Sequence, residues 1–230
     1  MKRVLSIFLL LNCFPFVILS QTFLKPNYAL KSHETLEIRK VELSPVYTKI
    51  FFTIENRIEQ GIFCADKNIF LINPDGSRLK LTKASGIPAC PDAYKFRSIG
   101  EKLDFDLTFP PLKQGTEWID IVEECSSNCF WFYGVTLNND LNRRLDEAFS
   151  SAETGTPRDN IPLFRNILES FDSKEHAIEG LLYVNIINAA GEADDKTLAA
   201  EWYRKLLSSH VPRLSQYVKY LNDRGIKYPE

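Results

Sequence analysis

The spacing of apolar residues changes period once, close to position 138. Up to Leu137 they recur at every second position; from Asn138 onward they recur at every third or fourth. Period two marks a strand with one buried face, and period 3.6 marks a helix with one buried stripe. The expected fold class is therefore α+β: an antiparallel β-sandwich over residues 21–137, followed by an all-α array over 138–230. In "YTKIFFTIEN", Ile50, Phe52 and Ile54 share one face, and Lys49, Phe51, Thr53 and Glu55 share the other. In "EKLDFDLTFPP", Leu103, Phe105, Leu107 and Phe109 point inward until Pro110 and Pro111, which have no N–H to donate, end the strand. Leu36 and Ile38 share a face in "TLEIRKVEL". Pro74-Asp75-Gly76 suits the turn of a hairpin over 68–84. With "TEWIDIVE" and "FWFYGVTL", about seven strands with turn signals between them imply an immunoglobulin-like sandwich.

The second half reads as five helices joined by short loops, hence in antiparallel array. Asn139 or Asp140 is suited to cap the first, with Leu141, Leu145 and Phe149 on its apolar face. Gly155 and Pro157 mark a break. Ile161, Phe164, Leu168 and Phe171 line the second helix. "DSKE" (Asp172 to Glu175) has the form of a capping box and opens a strongly apolar helix ended by Gly191. Asp194 and Asp195 supply acid at the start of the next, where the helix dipole favours it, with Leu198, Trp202 and Leu206 in line. The last follows Pro212 and ends at Gly225.

A basic start, Met1-Lys2-Arg3, precedes an apolar run from Val4 to Leu19. That run is shorter than the ~20 residues a spanning helix needs. It reads as a signal peptide, residues 1–20, cut near Ser20–Gln21. A retained anchor, or lipidation at Cys13 in "LLNC", are the weighed alternatives. The implied location is exported, periplasmic or cell-surface associated, with the membrane involved only through the signal peptide or a partner complex. Basic and acidic residues number 28 and 30, for a formal charge of −2. That balance argues against nucleic-acid binding, which calls for a basic surface.

Beyond the leader, the cysteines are Cys64, Cys90, Cys125 and Cys129. An even count in an exported chain reads as disulfides. Three pairings are possible; the expected one joins the two local closures, Cys64–Cys90 and Cys125–Cys129. A zinc site from these four is disfavoured because C-x-x-C knuckles are missing. A catalytic dithiol is disfavoured because its usual spacing and helix N-terminus are missing. No metal and no cofactor is expected.

His33, His176 and His210 lie outside ligand spacing of one another and of the cysteines. Their expected places are a segment ahead of the sandwich and the helices. Asp104 and Asp106 share a strand face, a spacing that suits a cation or an acid pair, but equally a solvated outer face. Glu123 and Glu124 are adjacent and therefore diverge. In "ECSSNCFWFYG", Phe130 and Phe132 face one way, Trp131 and Tyr133 the other. One face fills the sandwich. The second is covered by the helical half, or it forms a ligand platform from Trp131 and Tyr133, or Trp118.

The stretch Gly100 to Glu123, "GEKLDFDLTFPPLKQGTEWIDIVE", resembles the penultimate strands of immunoglobulin-like modules in exported proteins of Bacteroidetes-type bacteria, and the leader ending in Ser20 before Gln21 is similar to exported proteins from that group. Ala199, Tyr203 and Pro212 are similar to the second helix and stop of a tetratricopeptide repeat. The Trp and Leu-Gly pattern of the first repeat helix is missing, and no second copy is present. These resemblances imply fold and compartment and carry over no functional residue. The expected function is a non-enzymatic interaction or assembly module of a bacterial cell-envelope complex, with a protein partner. The alternatives are a glycan- or peptide-binding protein using the exposed aromatics, and an envelope hydrolase built around His176 or His210.

Overall fold

The structure, a computed structural model, describes residues 20–172 and 176–228. The expected signal peptide up to residue 19, with Cys13, lies outside the described residues, as do Ser173 to Glu175 of the expected capping box. Strands come first and helices second. The strands are β1 (Gln21–Leu24), β2 (Leu30–Lys31), β3 (Leu36–Leu43), β4 (Thr48–Glu55), β5 (Ile62–Phe63), β6 (Ile69–Ile72), β7 (Arg78–Lys80), β8 (Lys83–Ser85), β9 (Tyr94–Lys95), β10 (Lys102–Phe109), β11 (Trp118–Glu123) and β12 (Trp131–Thr136). The helices are α1 (Asn139–Thr154), α2 (Pro157–Leu168), α3 (Glu179–Glu192), α4 (Lys196–Ser208) and α5 (Leu214–Asp223).

One sheet runs β1-β3-β4-β10-β8 and a second β2-β12-β11-β6-β7, all antiparallel; β5 and β9 form a small third sheet. Among the described residues there are twelve strands against the seven expected, and the five extra ones are short: β1 has four residues, β8 three, and β2, β5 and β9 two each, too few to display a period. Strand alternation puts Ile50, Phe52 and Ile54 of β4 and Leu103, Phe105, Leu107 and Phe109 of β10 into one apolar core with Leu71, Ile121 and Phe132 of the second sheet. Phe52 touches Phe132 across it, ring centroids 5.9 Å apart. A register shift between Ile38 and Lys40 brings Val41 inward with Leu36 and Ile38. On the outer face, exposed Asp104 meets Arg39 and Thr53, and half-buried Asp106 lies 3.6 Å from Lys49, so both carboxylates have a basic neighbour.

The helices bury a second core around Leu145, Phe164, Leu182, Ile186 and Trp202. Asn138, one residue before the expected caps, accepts the Leu141 N–H at the start of α1. Asp195 caps α4 through Leu198, while Asp194 adopts a left-handed backbone. Gly191 lies inside α3, which runs on to Glu192; Gly225 follows α5 with φ +77°. α3 ends in a Schellman turn: Asp194 takes the left-handed position, its N–H donates to the Gly191 carbonyl at 3.0 Å, and the Asp195 N–H donates to the Ala190 carbonyl at 2.9 Å.

Two polar contacts join the cores. Asn142 of α1 accepts the Asn27 N–H at 2.8 Å, donates to the Thr136 carbonyl at 3.1 Å and meets the Thr136 hydroxyl, all at the end of β12. Asp120 of β11, a buried carboxylate, accepts the Gly134 N–H at 2.8 Å and is paired with Arg213, just ahead of α5. Gly134 has φ +63°, and a Cβ there would sit 2.6 Å from the Ala177 carbonyl, so the close approach of the helical half requires glycine. Among the described residues, no helix is long and apolar enough to cross a membrane.

Candidate functional site

The aromatic strip divides as its alternation requires. Phe130 and Phe132 are fully buried in the two-sheet core. Trp131 and Tyr133 are half-buried on the other face and stack at 4.4 Å. The Arg213 guanidinium lies 3.7 Å from the Tyr133 ring centre, so the helical half already occupies that ring. Trp118 is only 7% exposed and pairs in register with Thr136, at the other end of β12 from Trp131. Of the residues named for the alternative ligand platform, Trp131 and Tyr133 thus lie side by side and Trp118 lies apart from them.

A concavity lies elsewhere, at the end of the sheets where β4 and β11 finish. It is a cleft of about 700 Å³. Asn56 builds one wall. Its side-chain amide donates to the Ile58 and Ser98 carbonyls, each at 2.8 Å, and its backbone carbonyl accepts from Gly100. This wraps the chain after β4 onto the segment before β10 and leaves Ile58, Ile62 and Ile99 more than half exposed. Ile58 and Ile62 line the cleft. Such contiguous exposed apolar residues mark contact surfaces.

Both disulfides border the same cleft. Cys64–Cys90 ties the exit of β5 to the loop before β9; Cys125–Cys129 closes the turn from β11 to β12. These are the two local closures, and the chain-entropy relation gives roughly 3.5 kcal/mol for the 26-residue separation and about 2 kcal/mol for the shorter one.

Glu123 is the acid of this end. It is 6% exposed, yet borders the cleft. Its Oε1 accepts the Asp66 N–H at 2.7 Å and its Oε2 the Phe130 N–H at 2.9 Å, which fixes the carboxylate between two loops. Burial pushes its carboxyl pKa up, the two N–H bonds oppose that, and the Asp66 carboxylate adds to the rise. Glu55 also borders the cleft but is held by Arg57 at 2.9 Å and Lys102 at 3.5 Å. His33 completes the wall. It sits between β2 and β3, not ahead of the sheets. Its Nδ1 is 2.7 Å from the Ser32 hydroxyl, its ring meets Phe63 edge-on, and burial lowers its pKa.

Of the other histidines, His176 precedes α3 and His210 follows α4, so neither is helical. His176 Nε2 is 3.2 Å from Asp172 four residues earlier, and its ring stacks on Phe171. Neither lines the cleft. Among the described residues no cluster of three or more His, Cys, Asp or Glu could hold a metal ion.

Adjacency to Glu124 sets Glu123 aside in the sequence, and spacing alone does not point to Asp66, Asn56 or the place of His33 in the cleft wall. One signal was available for Glu123: it continues the inward phase of Ile119 and Ile121, so a carboxylate stands where the pattern calls for an apolar side chain.

The fold and cleft define a two-sheet β structure, backed by helices, with a disulfide-bordered pocket at one end. No family model and no curated protein matches the chain. Among solved structures it is similar to "the conserved domain protein from Bacillus anthracis", with 13% identity, a TM-score of 0.29, and coverage of 48% of this chain and 38% of that one. The chain thus spans well under half the length of that structure, and so remote a likeness leaves the function to be argued from the site.

Proposed function

We propose that this chain is an exported interaction module of a bacterial cell-envelope complex, and that it takes a segment of a protein partner into the cleft between its two disulfides. The observation that carries this reading is the rim of Ile58 and Ile62, each about two-thirds exposed, at the mouth of a pocket with a buried acid in its wall. Two disulfides suit an oxidising compartment, as the leader does. The strand half is read as immunoglobulin-like, on the strength of two five-stranded antiparallel sheets over one core. In such domains loops gathered at one end of the sheets commonly carry recognition.

Site-specific photocrosslinking in the producing cells tests this. A photoreactive residue at position 62 should give a discrete adduct that excess purified protein competes away. The same residue at position 80, on the exposed edge strand β7, should give none. Equal or uncompeted adducts at both positions would refute the cleft as the contact site.

A further inference from the structure

β11 carries two buried carboxylates three residues apart, and they are treated differently. Asp120 is 3% exposed and is met by Arg213. Glu123 is 6% exposed and has only two backbone N–H donors. Among the described residues no lysine or arginine pairs with it, and none pairs with Asp66 beside it. A buried charge without a counter-charge is costly, and the usual remedies are pairing or protonation. Here the unpaired acid borders a cleft open to solvent. The cleft's single arginine, Arg57, is committed to Glu55. The lining therefore combines two acids that have no basic partner, Glu123 and Asp66, with the aliphatic side chains of Ile58 and Ile62.

Resting on the reading of the cleft as the partner site, we infer that Glu123, seconded by Asp66, receives the cationic head of a lysine or arginine side chain of the partner, whose aliphatic stem lies along Ile58, Ile62 and Phe63. Long basic side chains pair an apolar stem with a charged tip, which is the pattern of this lining. Each Glu123 oxygen uses one lone pair on a backbone N–H and keeps a second for the incoming cation. A bare divalent ion is a poorer match. It needs six or more oxygen ligands, and of the three carboxylates in the wall Glu55 is already paired with Arg57 and Lys102, while much of the remaining surface is apolar.

The test is a titration followed by amide resonances of the folded, oxidised chain. The probes are Nα-acetyl-lysine methylamide, the arginine equivalent, and the uncharged norleucine equivalent. The expected result is saturable shifts of the Asp66 and Phe130 amides, with the lysine or arginine probe at least tenfold tighter than norleucine. Glu123→Gln should remove that preference. Asp66→Asn, which keeps an acceptor for the Asn68 N–H, should weaken it severalfold in a chain whose other resonances are unmoved. Equal binding of all three probes would overturn the cation but leave the cleft as a binding site. Calcium chloride shifting the same amides saturably, while the basic probes do not, would overturn it in favour of a metal. No shift from any probe would overturn it too; if crosslinking at position 62 still succeeds, only the cation is lost, and if both fail, so does the partner site.

Discussion

Replacing Arg213 with alanine should loosen the joint between the strand and helical halves. The Asp120 side chain is 4% exposed and that of Arg213 26%. Removing one partner of a buried ion pair costs roughly 3–5 kcal/mol, because the other charge stays buried and uncompensated. The partial exposure of Arg213 sets the expectation at the lower end, about 3 kcal/mol, and loss of its stack on Tyr133 adds about 0.5–1 kcal/mol. Arg213 also holds a left-handed backbone, φ +60°, at the N-cap of α5. The pair thus fixes a conformation that a non-glycine residue adopts only at some cost. For a chain of this size each kcal/mol moves Tm by roughly 2–4 °C, so Arg213→Ala should melt on the order of 10 °C lower.

The assay is urea denaturation of the single variants Arg213→Ala and Asp120→Ala and of the double variant. Asp120→Ala also strips the buried Gly134 N–H of its acceptor, worth roughly 1–3 kcal/mol. The double variant should cost less than the two singles together, with a coupling of about 2 kcal/mol. pH gives an independent reading. Burial already pushes the Asp120 carboxyl up, against the Gly134 N–H and Arg213. Without Arg213 it rises further. A carboxyl raised in the folded state contributes stability at low pH that is lost as pH climbs. The Arg213→Ala deficit should therefore be largest near neutrality and shrink as pH falls toward the ordinary aspartate value of about 3.9. A deficit below about 1 kcal/mol, with coupling below 0.5 kcal/mol, would refute the buried pair as the joint.

Gly134→Ala should cost at least about 2 kcal/mol, since it adds a Cβ at positive φ against the Ala177 carbonyl, and wild-type stability by denaturant melt would refute that close approach. Replacing Cys64 and Cys90 together with serine should lower the unfolding free energy by roughly 3.5 kcal/mol, whereas the Cys125–Cys129 double serine variant should lose about 2 kcal/mol; the reverse order would contradict the loop-length argument. Asn56→Ala should cost about 2 kcal/mol by leaving two carbonyls short of their donor, and should speed amide exchange at Gly100 more than at Leu107 of the β10 core. Glu123, raised by burial, contributes stability present below the ordinary glutamate range, near about 4.3, and lost as pH climbs through its raised folded value. The pH–stability curves of wild type and Glu123→Gln should diverge over that window, and parallel curves would count against the burial assigned to it.

Much of the scaffold was legible because its cause is local. A two-residue period needs only a strand with one wet face, and β4 and β10 obey it from end to end. The caps at Asp195 and Gly225 were legible for the same reason: a side chain or a missing Cβ acts on its own turn. What was hidden depends on where distant segments meet. Nothing local marks Arg213 as the partner of Asp120, ninety-three residues away. The two-residue strands β2, β5 and β9 exist only because a neighbour supplies the other half of each ladder. The cleft is hidden most deeply, since its walls come from five separate stretches between His33 and Asn128.

Even so, β11 carried a trace of it. Ile119 and Ile121 set an inward phase, and Glu123 keeps the phase while breaking the chemistry. A buried acid that breaks a strand's pattern is either protonated or compensated, within the fold or by something outside it. For Asp120 the fold supplies Arg213. For Glu123 it supplies two backbone N–H groups and an opening, and that asymmetry is why the cleft, not the aromatic strip beside it, is the place to look for a partner.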